Sequence, residues 1–480
     1  MKKLLYIFLL YVLSTHAAHK ITIIGTGYVG LVTGAGLAQL GNQVTCVDID
    51  MKKIEQLNNN IIPMYEAGLD KLVHQNRIAQ RLTFNSNVDQ AIQDADIIFI
   101  AVGTPMADDG SADLTAVRAV LKTIAQHIHT HKTIVTKSTV PIGTGSWIRS
   151  TLEKDYHVPS DMFELVSNPE FLREGTAVAD FMYPDRLVIG TESDYGRATM
   201  HSIYQQLIDV DNVPVLWTNV VTAETIKYAA NGFLALKLSF INEIANLCDA
   251  TGADVQEVAH GMGLDKRIGS YFLQAGPGFG GSCFPKDSAA LLHMAYEHNL
   301  PLLTVHASLH ANDIQKQKPV EKLLKLMRHQ LAGKTIAVLG LAFKANTDDI
   351  RYSPASVAIA MLLEHGADVR AYDPEAMDNM RIEFPELTYC NSAYEAVTHA
   401  DAVLIITDWD EFKTLNIAKL GELMHHKVLV DARNIINERE LEKNGFVFDF
   451  IGRSYLAQHA AIRQQRAIAR ASSGAYGHAA

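Results

Sequence analysis

Two Rossmann-like α/β units, each built on a parallel sheet and joined by a long central helix and a helical middle region, are the fold this sequence predicts. Three observations predict it. The β-rich run Lys20-Ile21-Thr22-Ile23-Ile24 enters Gly25-Thr26-Gly27-Tyr28-Val29-Gly30 and then an apolar helical pattern through Leu40, which reads as strand, tight turn and helix. A series of short apolar strands begins again at Lys334. Between the two, Val221 to about Cys248 is helical in pattern and free of proline. A chain of 480 residues has room for about three domains. The expected divisions are an apolar leader over 1–19, a first unit over 20–215, a helical middle and dimerisation region over 216–320, a second α/β unit over 321–455, and an Ala/Arg-containing tail over 456–480.

Composition excludes several classes. Apolar residues make up 48% and charged residues 20%, which suffices for packed cores. The net charge of −11 argues against a nucleic-acid binder, because phosphate binding needs clustered positive charge. Cys46, Cys248, Cys283 and Cys390 are far apart with no CxxC pair, so neither a disulfide framework nor a zinc cluster is indicated and a reducing compartment fits.

Taken in order, Lys2 and Lys3 precede the apolar run Leu4 to Leu13, a signal-like leader too short to span a bilayer comfortably. No stable membrane insertion is expected. Export or tethering is the alternative to an N-terminal extension on a cytoplasmic protein, which is the reading that suits the nucleotide site that follows. In that site a second strand, Gln43 to Val47, ends at Asp48, at the distance expected for an acid that hydrogen-bonds an adenosine ribose. Gly25, Gly27, Tyr28, Val29, Gly30 and Asp48 therefore read as a dinucleotide site; the glycines alone would indicate no more than a tight turn. The acid would repel a 2′-phosphate, which favours NAD over NADP, although Lys53 lies nearby. Strands over Asp96 to Val102 and Thr133 to Thr139 deliver Thr104, Ser138 and Thr139 to the carboxyl ends where ligands collect in open parallel sheets. These three are candidate ligand contacts, or else caps and turn formers. His127, His129 and His131 alternate in what reads as a solvated loop, with no carboxylate or cysteine spaced to complete a metal site.

In Asn168-Pro169-Glu170-Phe171-Leu172-Arg173-Glu174-Gly175 the two glutamates would share a face if helical, although Pro169 makes the start irregular and a surface turn is the plain alternative. On the long helix Lys227 and Asn231 fall on one face, either towards solvent or along a cleft. Gly276 to Asp287 is a glycine-rich loop entering a helix, with Pro285 in a first-turn position. With Ser282 as cap, Cys283 would lie in the first turn, where unpaired amides favour thiolate, and Asp287 would share its face. A small buried cysteine beside a turn explains that stretch about as well. In the second α/β unit, strands over Thr335 to Leu339, Asp368 to Tyr372, Ala402 to Ile406 and Lys427 to Val430 echo the first unit without GxGxxG. Lys344 and Arg433, just past strand ends, would suit phosphate or carboxylate groups, as in a single nucleotide-bearing substrate. The tail carries Arg463, Arg466 and Arg470 and reads as frayed helix or disorder.

Gly25 to Gly30, Ser138-Thr139-Val140-Pro141, Asn168 to Gly175, Glu224 to Asn231, Gly278 to Asp287 and Gly340 to Lys344 together resemble the UDP-glucose/GDP-mannose dehydrogenase family, from about Lys20 to about Gly452. The resemblance implies a four-electron oxidation of a nucleotide-sugar C6 alcohol to a carboxylate with two NAD⁺ per turnover, and UDP-glucose as the favoured substrate. GDP-mannose or a UDP-N-acetylhexosamine is the alternative within the same chemistry. It implies that Cys283 captures the aldehyde as a thiohemiacetal and later carries a thioester that water hydrolyses. Lys227 and Asn231 would stabilise the oxyanion, Asp287 with Thr139 would organise water or proton transfer, and Glu170 would assist hydrolysis. Glu174 would lie near the nicotinamide, and Asp48 with Lys53 at the ribose. Phe171, Leu172, Phe279 and Gly280 would line the substrate, with Lys344 and Arg433 reaching it from the last unit. Arg267 would reach a neighbouring subunit's site in a homodimer formed through the long helix. A non-catalytic nucleotide-sugar sensor is disfavoured because Cys283, Lys227, Asp287 and Glu170 are all present.

Overall fold

The computed structural model describes residues 19–453. The expectations for residues 1–18 of the leader and for the tail from 454 onward lie outside the described residues.

The first sheet contains β1 (Lys20–Ile24), β2 (Gln43–Val47), β3 (Leu82–Asn85), β4 (Ile97–Ile100), β5 (Lys132–Thr136), β6 (Phe163–Ser167), β7 (Leu187–Thr191) and β8 (Val215–Thr218). Its order is β3-β2-β1-β4-β5-β6-β7-β8. Pairing is parallel throughout except where β7 meets β6, with Val166 opposite Thr191. The central strands β4 and β5 are buried along their whole length, because helices cover both faces of the sheet and leave no alternation with polar residues. Both are shorter than their apolar runs suggest, since the chain leaves the sheet at Ala101 and Lys137.

The second sheet contains β9 (Thr335–Leu339), β10 (Asp368–Tyr372), β11 (Thr388–Tyr389), β12 (Ala402–Ile405), β13 (Val428–Asp431) and β14 (Val447–Phe450), all parallel in the order β11-β10-β9-β12-β13-β14. β1, β2, β9 and β10 have the ends that the sequence predicts. Two-residue β11 carries too little pattern to be read in advance.

Between the sheets runs the helix Val220–Thr251, started by the Asn219 side chain accepting from the Thr222 amide and ended by Gly252 in the left-handed region. It packs on Phe284–Glu297 and Leu303–Leu326, and its C-terminal residues Ala245 and Cys248 join the core of the second sheet. Among the described residues no helix is long and apolar enough to cross a membrane.

Candidate active site

The turn after β1 is left open. Gly25 has φ 104° and donates to the Val47 carbonyl, and the helix Tyr28–Gln39 starts at Gly27 with no side-chain cap. Its first-turn amides are therefore directed at whatever lies above the turn. A Cβ at Gly27 would meet nothing within 4 Å, whereas one at Gly30 would fall 2.0 Å from the Gly25 carbonyl oxygen. One glycine leaves space for a ligand and the other lets helix and turn close up. Asp48 accepts from the Thr26 amide at 2.8 Å and hydroxyl at 2.7 Å, and from the Asp50 amide at 3.0 Å. Burial pushes its carboxyl up, but these bonds outweigh it and hold the group below the usual range with help from Lys53. An ionised acid and uncapped amides fit a dinucleotide's ribose and pyrophosphate. Val29 packs on the first core.

Thr104 donates to the Thr139 carbonyl at 2.8 Å, and Ser138 to the Val102 carbonyl at 2.6 Å. These bonds tie the ends of β4 and β5 together, so both hydroxyls have acceptor capacity rather than a free proton to offer a ligand. Thr139 is half-buried at the same edge.

Cys283 sits where three regions converge. Ser282 does not cap its helix; Cys283 itself is the capping position of Phe284–Glu297, and the Ser282 hydroxyl instead donates to Glu174 Oε1 at 2.9 Å. Burial pushes the Cys283 thiol up to about 11, with Glu170 and Asp287 adding to it and Lys227 and the Ser282 bond opposing it. The expected thiolate is thus not the resting form: desolvation and two carboxylates outweigh the cation. Asp287, one turn on, is nearly inaccessible, accepts from Asn231 Nδ2 at 2.6 Å and pairs with Lys286. Lys227 pairs with Glu170 at 2.9 Å, both side chains 4% exposed. Burial disfavours each charge, yet the pairing prevails: the Glu170 carboxyl lies below its ordinary range and Lys227 above its own. Lys227 and Asn231 therefore face the cleft rather than solvent.

The stretch from Asn168 to Arg173 is not helical, so Glu170 and Glu174 point to different partners. Glu170 accepts from the Leu172 amide besides Lys227. Glu174 accepts from Ser282, from Thr347 at 3.2 Å and from Arg351 at 3.4 Å, and burial with Asp349 nearby pushes it up to about 7. Pro169 and the Lys227 pair overrode the helical spacing. Phe171 lies under the Arg186 guanidinium and 5.4 Å from Lys227 Nζ.

The loop 276–281 is pinned from below by polar side chains that the sequence reading missed. Asn242 accepts from the Gly276 amide, Gln315 donates to its carbonyl, and Asn312 bridges both backbone groups of Phe279. From above, the segment after β9 presses on it: a Cβ at Gly280 would lie 2.4 Å from the Tyr352 carbonyl, and Gly281 donates to the Arg351 carbonyl. Lys344 is half-buried, and desolvation lowers its pKa against the opposing pull of Glu174. Arg433 donates to the Ile406 and Phe343 carbonyls beside Gly276, so much of its guanidinium is a strut. Arg267 pairs with Asp265 in solvent, and this chain does not bring it to its own Cys283 cluster.

Two further residues, Lys137 and Glu66, escaped the sequence reading, as did the link that Tyr28 makes to the last unit. Lys137, at the end of β5, is buried, donates to Asn168 and is brought down to about 8 by burial. Its signal was a lysine inside an apolar strand run. Glu66 accepts from the Gly175 and Ala177 amides, which anchors the Glu174 loop. Tyr28 donates to Asp348 and lies 3.4 Å from Thr347, which joins the open turn to the last unit. Among the described residues no cluster of three or more His, Cys, Asp or Glu could hold a metal.

Residues 19–208 match the NAD binding domain of the UDP-glucose/GDP-mannose dehydrogenase family, residues 221–314 its central domain and residues 337–438 its UDP binding domain. The chain is 48% identical over 435 residues to UDP-glucose 6-dehydrogenase TuaD of Bacillus subtilis (strain 168), covering 90% of this chain and 93% of that one. It is 47% identical over 437 residues to the UDP-glucose 6-dehydrogenase of Rhizobium meliloti (strain 1021), covering 90% and 99%. A solved UDP-glucose dehydrogenase from the hyperthermophilic archaeon Pyrobaculum islandicum aligns with a TM-score of 0.83 at 36% identity, over 89% of this chain and 97% of that chain.

Proposed function

The chain belongs to the UDP-glucose/GDP-mannose dehydrogenase family and is an NAD-dependent oxidoreductase, and from that premise we propose that it oxidises UDP-glucose to UDP-glucuronate through a cysteine-bound intermediate. The observation that carries this reading is the cluster of half-buried Cys283 with the buried Lys227, Asn231, Asp287 and Glu170, in a chain whose first turn fits NAD. The first-turn amides at Gly27 to Gly30 and Asp48 would hold NAD⁺, which would supply the hydride acceptor.

The residues of the chain do the rest. Asp287, with Thr139 at the strand edge, draws the proton from the C6 hydroxyl or its water. Lys227 and Asn231 supply positive charge and a donor in a water-poor site, where an oxyanion gains most from them. Cys283 captures the aldehyde, so the reactive carbonyl stays bound until it is a thioester. Glu170, ionised beside Lys227, assists the water that releases the acid. Lys344 and Arg433 flank the nucleotide end, with Phe171, Leu172, Phe279 and Gly280 along the sugar. A cytoplasmic location belongs to this reading, since the dinucleotide is an intracellular molecule.

A homodimer through the long helix is part of the proposal. Phe233, Phe240 and Leu247 are 61%, 45% and 58% exposed at a repeat of seven residues, a stripe suited to a second copy. Light scattering should give twice the chain mass, and Phe240→Glu should halve it.

The test of function is a substrate panel that follows NADH. UDP-glucose should yield two NADH per sugar, and Cys283→Ser should bind UDP-glucose yet lose the overall oxidation. Activity with GDP-mannose or a UDP-N-acetylhexosamine and none with UDP-glucose would overturn the substrate.

A further inference from the structure

The nucleophile proposed above has a proton to lose and no obvious place to send it. Its thiol is pushed up to about 11, so at neutral pH a free thiolate is scarce. Addition of sulfur to an aldehyde then needs a base that acts as the bond forms. The neighbouring carboxylates differ in their fitness for that task. Glu170 is held in an ion pair with Lys227 at 2.9 Å and lies below its ordinary range, so it is a weak base. Asp287 has one carboxylate oxygen engaged by Asn231 and the other by Lys286.

Glu174 also accepts from Arg351 and Thr347, and differs from those two carboxylates in how far its carboxyl is raised and in its bond to the serine beside the sulfur. Its side chain is 11% exposed, and burial, with Asp349 close by, raises it to about 7 despite Arg351. The Ser282 hydroxyl donates to its Oε1 at 2.9 Å, and the same hydroxyl oxygen lies 3.6 Å from Cys283 Sγ. With the serine proton directed at the carboxylate, the serine oxygen is left to accept the S–H. Both contacts run in one direction, from sulfur through oxygen to carboxylate.

We propose that Ser282 and Glu174 form the proton relay that deprotonates Cys283 as its sulfur attacks the aldehyde. The sulfur lone pair forms the S–C bond while the S–H proton passes to Ser282 Oγ and the serine's own proton passes to Glu174 Oε1. The carbonyl π pair moves onto oxygen, where Lys227 faces it. No electron leaves the system in this step, and Glu174 returns its proton to water before the next cycle. The inference rests on the reading of Cys283 as nucleophile.

The groups that set the relay come from every wall of the site. Facing Glu174 are Asp349 and Arg351 from the segment after β9, with Thr347 bonded to it, Lys344 at the buried side, and Tyr28 from the turn after β1. Facing Cys283 are Glu170 from the loop after β6, Lys227 from the long helix, Asp287 from its own helix, and Lys344 with Arg351 from the last unit. Asp349 and Arg351 remain bonded to each other and act on Glu174 with opposite sign.

The test follows the thiol itself, without cofactor: the rate of Cys283 carboxamidomethylation by iodoacetamide between pH 5.5 and 10, counted by peptide mass, in the full chain. In wild type the rate should rise with an apparent midpoint near 7, the carboxyl's value. Ser282→Ala and Glu174→Gln should each lose that rise, follow the bare thiol near 11, and fall at neutral pH by about 100-fold. Ser282→Thr keeps a hydroxyl and should restore the lower midpoint, which separates the relay from a packing defect. Identical pH profiles in wild type, Ser282→Ala and Glu174→Gln would overturn the relay. Failure of the nucleophile reading is a separate result: full oxidation of UDP-glucose by Cys283→Ser, whatever the alkylation profile.

Discussion

The turn after β1 and the turn after β9 start from the same frame and end in different trades. Gly25 and Gly340 both follow the first strand of a sheet with positive φ, 104° and 95°, and both donate at 2.8 Å to the end of the neighbouring strand, to Val47 and to Tyr372. Each strand pair then ends in an aspartate, Asp48 or Asp373. In the first unit the helix begins three residues after Gly25, the first turn carries no side-chain cap, and Asp48 is half-buried at the edge of the opening. In the second the helix waits until Pro354. Asp373 is fully buried and accepts from the Leu341, Ala342, Glu375 and Ala376 amides and from the Trp409 indole. One carboxylate is spared for a ligand, while the other saturates the amides a ligand would need. The residues freed by the late helix start, 343–352, become a clasp that touches Tyr28, Glu174, Gly175, Gly280 and Gly281. A shared fold thus separates into an open turn, proposed to hold the cofactor, and a clasp that touches it, through where a helix starts and what an acid is bonded to.

The largest effect should come from the closed turn. Asp373→Ala leaves several buried donors unpaired, and the cost should be about 4 kcal/mol, read as a lower urea midpoint. Asp48→Ala removes an acid that has solvent beside it, so stability should change by about 1 kcal/mol or less. Its effect belongs in binding: calorimetry should show NAD⁺ weakened by about tenfold and the preference over NADP⁺ narrowed, since a repulsive charge is gone. Equal destabilisation by the two substitutions would break the comparison.

How much of this was legible follows from sequence distance. The open turn was readable because its parts lie within one short segment: Gly25 to Gly30, and Asp48 at the end of the next strand. The closed turn was readable as a missing GxGxxG, but its clasp was not, since Tyr28 and Asp348 are 320 residues apart and no periodicity joins them. The glycine-rich loop entering a helix at Cys283 was readable, although that stretch alone fits a small buried cysteine as well. The protonation of Cys283 was misread, because the sequence exposes the helix start and Asp287 on the same face but hides the burial and the carboxylate of Glu170, which arrives from another segment. For Glu170 and Glu174 the sequence left open a shared helical face or a turn. The stretch is irregular, and the ion pair with Lys227 and the bonds to Ser282 and Thr347 give the two carboxylates different partners.

A smaller effect sharpens the comparison at the clasp. Glu174 and Glu224 are both pushed up to about 7 from an ordinary 4.5, chiefly by burial. Glu174 is bonded to the clasp, while Glu224 accepts from Gly143 and Gly145 within the first unit's side of the long helix. A carboxyl raised on folding favours the protonated native state. Each therefore contributes stability that is full below about 4.5 and is lost as pH rises to about 7. The urea midpoint of the apo chain should fall across that window and level off above it. Glu174→Gln should reduce the slope without removing it, because the Glu224 share persists. Arg351→Ala removes a cation that opposes the rise of Glu174, so its part of the window should extend to higher pH by less than about one unit. That shift requires the clasp to be closed in solution without ligand. An unchanged window in Arg351→Ala would mean that Glu174 already faces water there, and that ligand binding, rather than the fold alone, brings the segment after β9 down onto the open turn.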